Sequence, residues 1–210
     1  MSLGSRCIAL PSEGIERLAA AFDTADMTHT PYAVHTLDTA PEATGDALRA
    51  LRASVGLVPN LAATMAESPA LLKGFLTLRE LYATTGFSPT EVQVLSLVAA
   101  YENQCAYCMA FHSAMALKEG VSREDVDALR QGAAPADSRL GALSEYARAM
   151  LHRRGAVERP TLEAFFAAGY SKRQALDVVM GMAFSLMANY AGHITHAPLD
   201  TFLEPFAWTR

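Results

Sequence analysis

Apolar residues recur along this chain at helical spacing, bracketed again and again by helix start and stop residues, while period-two alternation is scarce and no Asn-Gly or Asp-Gly pair marks a hairpin. A stretch rich in Thr, Pro and Asp, 31–45, reads as irregular and leads into a helix over 47–55. Gly56-Leu57-Val58-Pro59-Asn60 then stops that helix and turns the chain. Ser68-Pro69 supplies a cap residue and a first-turn proline for a helix running to about Thr84 and closing at Gly86. Ser88-Pro89-Thr90-Glu91 repeats that start with a capping box. Val92, Val94, Leu95, Leu97, Val98, Ala99 and Ala100 nearly encircle the helix that follows, which predicts burial on most sides.

Glu102-Asn103-Gln104 interrupts the pattern, and a second helix is expected from about Gln104 to Glu119, stopped by Gly120. A short helix from 121–122 to near Gly132, a linker over 133–138, a helix over 140–152 and a short one over 160–168 follow. Tyr170-Ser171-Lys172-Arg173-Gln174 then opens a long apolar helix with a second capping box. The fold class is all-α. That last opening echoes Phe87-Ser88-Pro89-Thr90-Glu91, and aligning the two starts sets Cys105, Cys108 and His112 opposite Ala188, Ala191 and Thr195. The echo admits an internal helical repeat in which only the first copy keeps reactive groups. The expected organisation is an N-terminal extension, 1–45, followed by a helical domain, 46–210, with the reactive segment in 88–120 and the echo in 170–200.

At 210 residues the chain can bury a sizeable core. Its 51% hydrophobic and 19% charged content leaves apolar surface for subunit contacts, so a homo-oligomer is expected. The net charge of −5, with no clustered Lys and Arg, argues against nucleic acid and anionic membranes as partners. The longest apolar run, 178–188, falls short of the ~20 residues of a bilayer crossing and reads as a buried helix. The N-terminus lacks the features of a secretion signal, so the cytoplasm is the expected setting. Three cysteines there do not make a disulfide scaffold.

Two of the three form Cys105-Ala106-Tyr107-Cys108, followed by His112. On a helix, residues three, four and seven apart share a side, which sets Cys105, Cys108 and His112 within a roughly 60° sector. His112, one turn from Cys108, can share its thiol proton directly or through water, and a helix N-terminus further favours thiolate. A thiolate that attacks a peroxide becomes a sulfenic acid, which a second thiol three residues away condenses to a disulfide. Cys108, nearest His112, is read as the attacking sulfur and Cys105 as the resolving one; the reverse assignment stays open. No organic cofactor or metal is required.

Asn103-x-Cys105-x-Tyr107-Cys108-x-x-x-His112, preceded by Ser88-Pro89-x-Glu91 and followed by Gly120-Val121-Ser122, resembles the carboxymuconolactone decarboxylase-like superfamily, in particular its alkylhydroperoxidase D-like peroxidases. Gly56-Leu57-Val58-Pro59-Asn60, Ser68-Pro69-Ala70-Leu71-Leu72 and Asn189-Tyr190 are similar to the same family. The resemblance implies an all-helical bundle assembled as a trimer or hexamer, a hydroperoxide substrate, and reset by an external dithiol such as a thioredoxin-like or lipoyl-type protein. It also implies a proton-relay Glu twelve residues before the first Cys. Here that position is Gln93, which leaves Glu91 and Glu102 as the nearby carboxylates for a relay. Gln104 likewise stands where the family often has Gly.

Other readings compete. The cysteines can be inert core residues, or zinc ligands completed by His193 or His196, although three ligands from one helix is unusual for a structural site. His193 and His196 fit a helix-end role better than a pocket role. His29, His35 and His152 read as surface residues, Tyr107 as packing by default with a hydroxyl that could serve a pocket, and Cys7 as isolated. Met109, Phe111 and Met115 beside the motif hint at organic peroxides. A lactone decarboxylase would need no redox pair but would want cationic groups for a dicarboxylate. A non-catalytic oligomeric redox sensor would need the pair but no fast turnover.

Overall fold

The structure, a computed structural model, describes residues 32–210, so the expectations for Cys7, His29 and the extension up to residue 31 lie outside the described residues. Nine α-helices and one 3₁₀ turn make up the described elements: α1 (Glu42–Val55), α2 (Asn60–Met65), α3 (Pro69–Tyr82), α4 (Pro89–Glu102), α5 (Ala106–Lys118), α6 (Arg123–Arg130), α7 (Ser138–His152), α8 (Arg159–Ala167), α9 (Lys172–Thr195) and the 3₁₀ turn Thr201–Phe206. Among the described residues there is no strand.

α4 is the hub, packed by α5, α7 and α9. Its stretch from Val94 to Ala100 is buried without interruption, as the nearly encircling apolar pattern predicts. At roughly 1.5–3 kcal/mol for each fully buried large aliphatic side chain, this segment is a principal source of stability. Both capping boxes form as expected. Ser88 Oγ accepts from Glu91 N while the Glu91 carboxylate accepts from Ser88 N, and Ser171 and Gln174 do the same.

Three local expectations need correction. α1 begins at Glu42, inside the segment read as irregular, because its first turn buries Thr44 and Gly45, residues that carry no apolar signal. α2 was not expected at all. Its residues Leu61 to Met65 are all buried, which erases periodicity, and its first amide is capped by the Asp200 carboxylate, 140 residues away. Finally, α5 starts at Ala106 rather than Gln104. Gln104 adopts a left-handed conformation (φ 55°) that ends α4 and redirects the chain, and Cys105 becomes the N-cap of α5. Glycine takes that backbone conformation without steric cost, which explains why it suits this position.

α9 meets α2, α3, α4, α5 and α7. By length and composition alone it could cross a membrane; 44% of its most apolar window is buried inside the fold. Its continuous helix contrasts with the break at Gln104, so the two echoing segments share a helix start and then diverge.

Candidate active site

The break between α4 and α5 sets the two thiols at the N-cap and third position of α5, where backbone amides are free and the helix dipole favours negative charge. Cys105 Sγ accepts from Cys108 N at 3.4 Å. Both cysteines are free and buried. α9 closes over them from the other side. Asn189, fully buried, hydrogen-bonds toward both sulfurs. A side chain at Gly192 would bring its Cβ to 3.2 Å from Cys105 Sγ, so this turn of α9 approaches the sulfur as closely as glycine permits. Asn189 is itself oriented by Asn103, whose Nδ2 donates to Asn189 Oδ1 at 2.8 Å.

The two thiols titrate as a pair. The Cys108 S–H donates to Cys105, and that bond, with the amides of Cys108 and Tyr107 and the Asn189 side chain, holds Cys105 below the ordinary thiol value against the opposing effect of burial. Cys108 is pushed up, first by donating that bond, then by burial and by the charge on Cys105. One negative charge on the pair therefore rests on Cys105, with the remaining proton on Cys108.

His112 does not hold the thiol proton. Its Nδ1 hydrogen-bonds Gln93 Oε1 at 2.8 Å, and burial pushes its pKa down to about 4, so the ring is neutral near pH 7. A neutral ring that donates from Nδ1 leaves Nε2 as an acceptor. The position twelve before Cys105 thus does meet His112, with an amide in place of a carboxylate.

Cys108, His112 and Gln93 open onto a cavity of about 510 Å³ whose walls are mainly apolar. Phe111 and Met115 contribute to its wall, whereas Met109 is fully buried in the core. Tyr107 also lines it, and its hydroxyl donates to Asp200 Oδ2 at 2.5 Å, tying α5 to the residue that caps α2. Tyr107 is therefore more than packing. Cys105 is not among the lining residues, which makes Cys108 the sulfur that a pocket ligand would meet.

Neither candidate carboxylate reaches this cavity. Glu91 accepts from Ser88 N and from Arg139 Nε and Nη2 (3.2 and 3.1 Å), in the capping box and an ion pair whose arginine is half-exposed. Glu102 accepts from Arg148 Nε (2.9 Å) and faces His152 Nε2 (2.6 Å) on the α7 side. His193 Nε2 meets the Asn103 carbonyl at 2.6 Å, at the end of α4 rather than of its own helix, whereas His196 ends α9 in a left-handed conformation. His152 is exposed, but the His35 side chain is only 11% exposed against Glu67, because the pairing is distant in sequence. No group of three or more candidate metal ligands occurs among the described residues. Asn189 is the thiol partner that sequence reasoning missed: Asn189-Tyr190 stood out as family-like, but nothing local tied that Asn to the two cysteines.

Comparisons with known proteins bear on the family profile and the fold. Residues 69–149 match the profile of the Carboxymuconolactone decarboxylase family. No match is found among curated proteins. The fold is that of the alkylhydroperoxidase AhpD core protein, an uncharacterized peroxidase-related protein, from Ralstonia eutropha JMP134 (TM-score 0.73, 20% identity, covering 82% of this chain and 93% of that one). A second peroxidase-related protein, from Silicibacter sp. TM1040, is similar with TM-score 0.70 and 20% identity over 83% of this chain and 95% of that one. The debrominase Bmp8, as a cysteine-to-alanine variant in complex with 2,3,4-tribromopyrrole, is similar with TM-score 0.68 and 17% identity over 86% and 96% of the two chains.

Proposed function

We propose that this chain, whose residues 69–149 match the Carboxymuconolactone decarboxylase family and whose fold is similar to AhpD-like proteins, is a dithiol peroxidase for organic hydroperoxides. One observation carries this reading: Cys108 faces an apolar cavity beside a neutral His112, while the thiolate partner Cys105 sits directly behind it.

As Cys108 loses its proton to the site, its sulfur attacks the terminal peroxide oxygen. The O–O bond breaks, its electron pair leaves on the alkoxy oxygen, and that oxygen takes the proton Cys108 gave up, which a neutral His112 can carry on Nε2. The products are an alcohol and a sulfenic acid on Cys108. The Cys105 thiolate then attacks that sulfur and expels hydroxide, forming the disulfide. An external dithiol, of thioredoxin-like or lipoyl type, resets the pair by thiol–disulfide exchange. A cytoplasmic setting would keep it reduced. Exposed Leu176, Val179, Tyr190 and Ile194 on α9 support assembly as a trimer or hexamer.

Thiol titration with mass-spectrometric mapping, before and after one equivalent of cumene hydroperoxide, tests the proposal. Wild type is expected to lose two thiols as a Cys105–Cys108 disulfide. C105S is expected to stop at a trapped sulfenic acid on Cys108, and C108S to leave Cys105 reduced. Survival of both wild-type thiols refutes the peroxidase reading.

A second reading has its own support. The cavity is lined by Phe75, Tyr82, Phe87, Tyr107, Phe111 and Phe184, a setting suited to a flat ring, and the debrominase is among the structural relatives. The same dithiol can supply the two electrons and the proton that replace a ring halogen by hydrogen, releasing halide as the disulfide forms. Bromide release from a bromopyrrole, stoichiometric with thiol loss, would support it over the first.

A further inference from the structure

An amide at position 93, where a relay carboxylate would be expected, changes which hydrogen bonds the cavity can offer. An ionised carboxylate has only acceptors, whereas a glutamine amide has an acceptor and two N–H donors. Gln93 Oε1 is already committed, accepting from His112 Nδ1 at 2.8 Å. Gln93 Nε2 makes no hydrogen bond with any described residue. Both residues line the cavity onto which Cys108 opens. Unlike the enclosed hydroxyls of Tyr82 and Ser185, the two unpartnered nitrogens, Gln93 Nε2 and His112 Nε2, are not sealed from solvent.

Covalent geometry ties these atoms together. Gln93 Nε2 shares its carbon with Oε1, and His112 Nε2 belongs to the same ring as Nδ1, so the bond between the two residues keeps a free donor and a free acceptor near each other. His112 is in turn one helical turn from Cys108. Reduction of a hydroperoxide develops negative charge on one atom, the alkoxy oxygen that departs as the O–O bond breaks. Between mainly apolar walls that charge is best met by a donor already in place. The other hydroxyls around the cavity are spent or shut away: Tyr107 donates to Asp200, Ser96 donates to the Val92 carbonyl, and the Tyr82 hydroxyl is enclosed. Gln93 Nε2 is the standing donor beside His112.

Resting on the peroxidase reading, we propose that Gln93 is a catalytic residue, whose Nε2–H donates to the alkoxy oxygen of the hydroperoxide as the O–O bond breaks. The Cys108 proton passes to His112 Nε2, and the sulfur bonds to the terminal peroxide oxygen. The O–O electron pair stays on the alkoxy oxygen, which Gln93 holds until His112 Nε2 returns the proton and the alcohol departs. Cys108 is oxidised by two electrons to the sulfenic acid, the peroxide is reduced by two, His112 ends neutral as it began, and the amide gains and loses no proton. A hydrogen bond from Gln93 strengthens as the oxygen becomes charged, so it speeds the step more than it tightens binding.

Rapid-mixing single turnovers of reduced wild type, Q93M and Q93L test the assignment. Two oxidants are compared: tert-butyl hydroperoxide, whose alkoxide is a poor leaving group, and peracetic acid, whose acetate departs without help. In both variants the alkyl hydroperoxide rate is expected to fall about thirtyfold and the peracid rate by no more than about threefold. Alkylation of Cys108 by iodoacetamide, mapped by mass spectrometry, releases iodide without a donor and reads thiol activation alone; it is expected to stay within about threefold. If all three reactions fall together, Gln93 acts only by orienting His112, and the inference is overturned while the wild-type peroxidase stands. An alkyl hydroperoxide rate unchanged in both variants overturns it equally. A further readout needs no variant: across alkyl hydroperoxides of graded alkoxide basicity, the wild-type rate is expected to depend on that basicity less steeply than the rate of dithiothreitol thiolate in water, and an equal slope overturns the inference. A wild type inert to every peroxide sinks the peroxidase reading and this one with it.

Discussion

Replacing His112 by glutamine should remove a specific part of the protein's acid sensitivity. The imidazole is packed against Phe111 with its Nδ1 on Gln93, and burial pushes its pKa from the ordinary 6.5 to about 4. A group whose folded pKa is depressed below its unfolded value binds its proton more readily in the unfolded chain. Its contribution therefore favours folding fully above about pH 6.5 and is lost as pH falls toward 4. Each pH unit across that window corresponds to about 1.4 kcal/mol, so His112 accounts for up to about 3 kcal/mol of destabilisation between pH 7 and pH 4. Water entering the pocket would reduce this toward ~2 kcal/mol. Urea unfolding at pH 4.5, 5.5, 6.5 and 7.5 in wild type and H112Q checks the figure, because glutamine can still meet Gln93 but does not titrate. Other histidines, including His35 beside Glu67 and His152 beside Glu102, are common to both proteins and cancel in the difference. A wild-type stability that falls no faster with acid than that of H112Q, or an imidazole NMR titration centred near 6.5, would refute the neutral buried ring and the proton path built on it.

The Glu91 and Asn189 sites give two further tests. E91Q keeps an acceptor for Ser88 N but removes the charge that pairs with the half-exposed Arg139, so it should cost about 1 kcal/mol in urea unfolding while the rate of thiol loss to peroxide stays within about twofold; a large rate loss would return Glu91 to the relay. N189A removes a donor that lowers both thiol pKa values, so the pH midpoint for iodoacetamide labelling of Cys105 should move upward, and a midpoint that stays put or falls would show that Asn189 does not stabilise the thiolate.

Much of the molecule is legible in local pattern. Caps, stops and helical spacing depend on residues within one or two turns of each other, so Ser68-Pro69, the two capping boxes and the stop at Gly56 could be read directly, and the all-α class followed. The spacing Cys105-x-x-Cys108-x-x-x-His112 likewise brings its groups near one another in any helical context. Departures at Gln93 and Gln104 were visible too, although their meaning was not.

Tertiary structure decided the rest. That Gln104 turns left-handed, and so makes Cys105 a cap rather than a helical residue, follows from how α4 and α5 pack. α2 exists because Asp200 caps it from across the chain, a pairing that no short window contains. Glu91 and Glu102 were equivalent candidates until their arginine partners, 48 and 46 residues away, assigned them to ion pairs. The proton of the site belongs to the two sulfurs and Asn189 rather than to His112, because burial strips the imidazole of its charge while α9 brings an amide to the thiols. Sequence proximity names reactive groups, but desolvation and partners distant in the chain determine which of them carries charge.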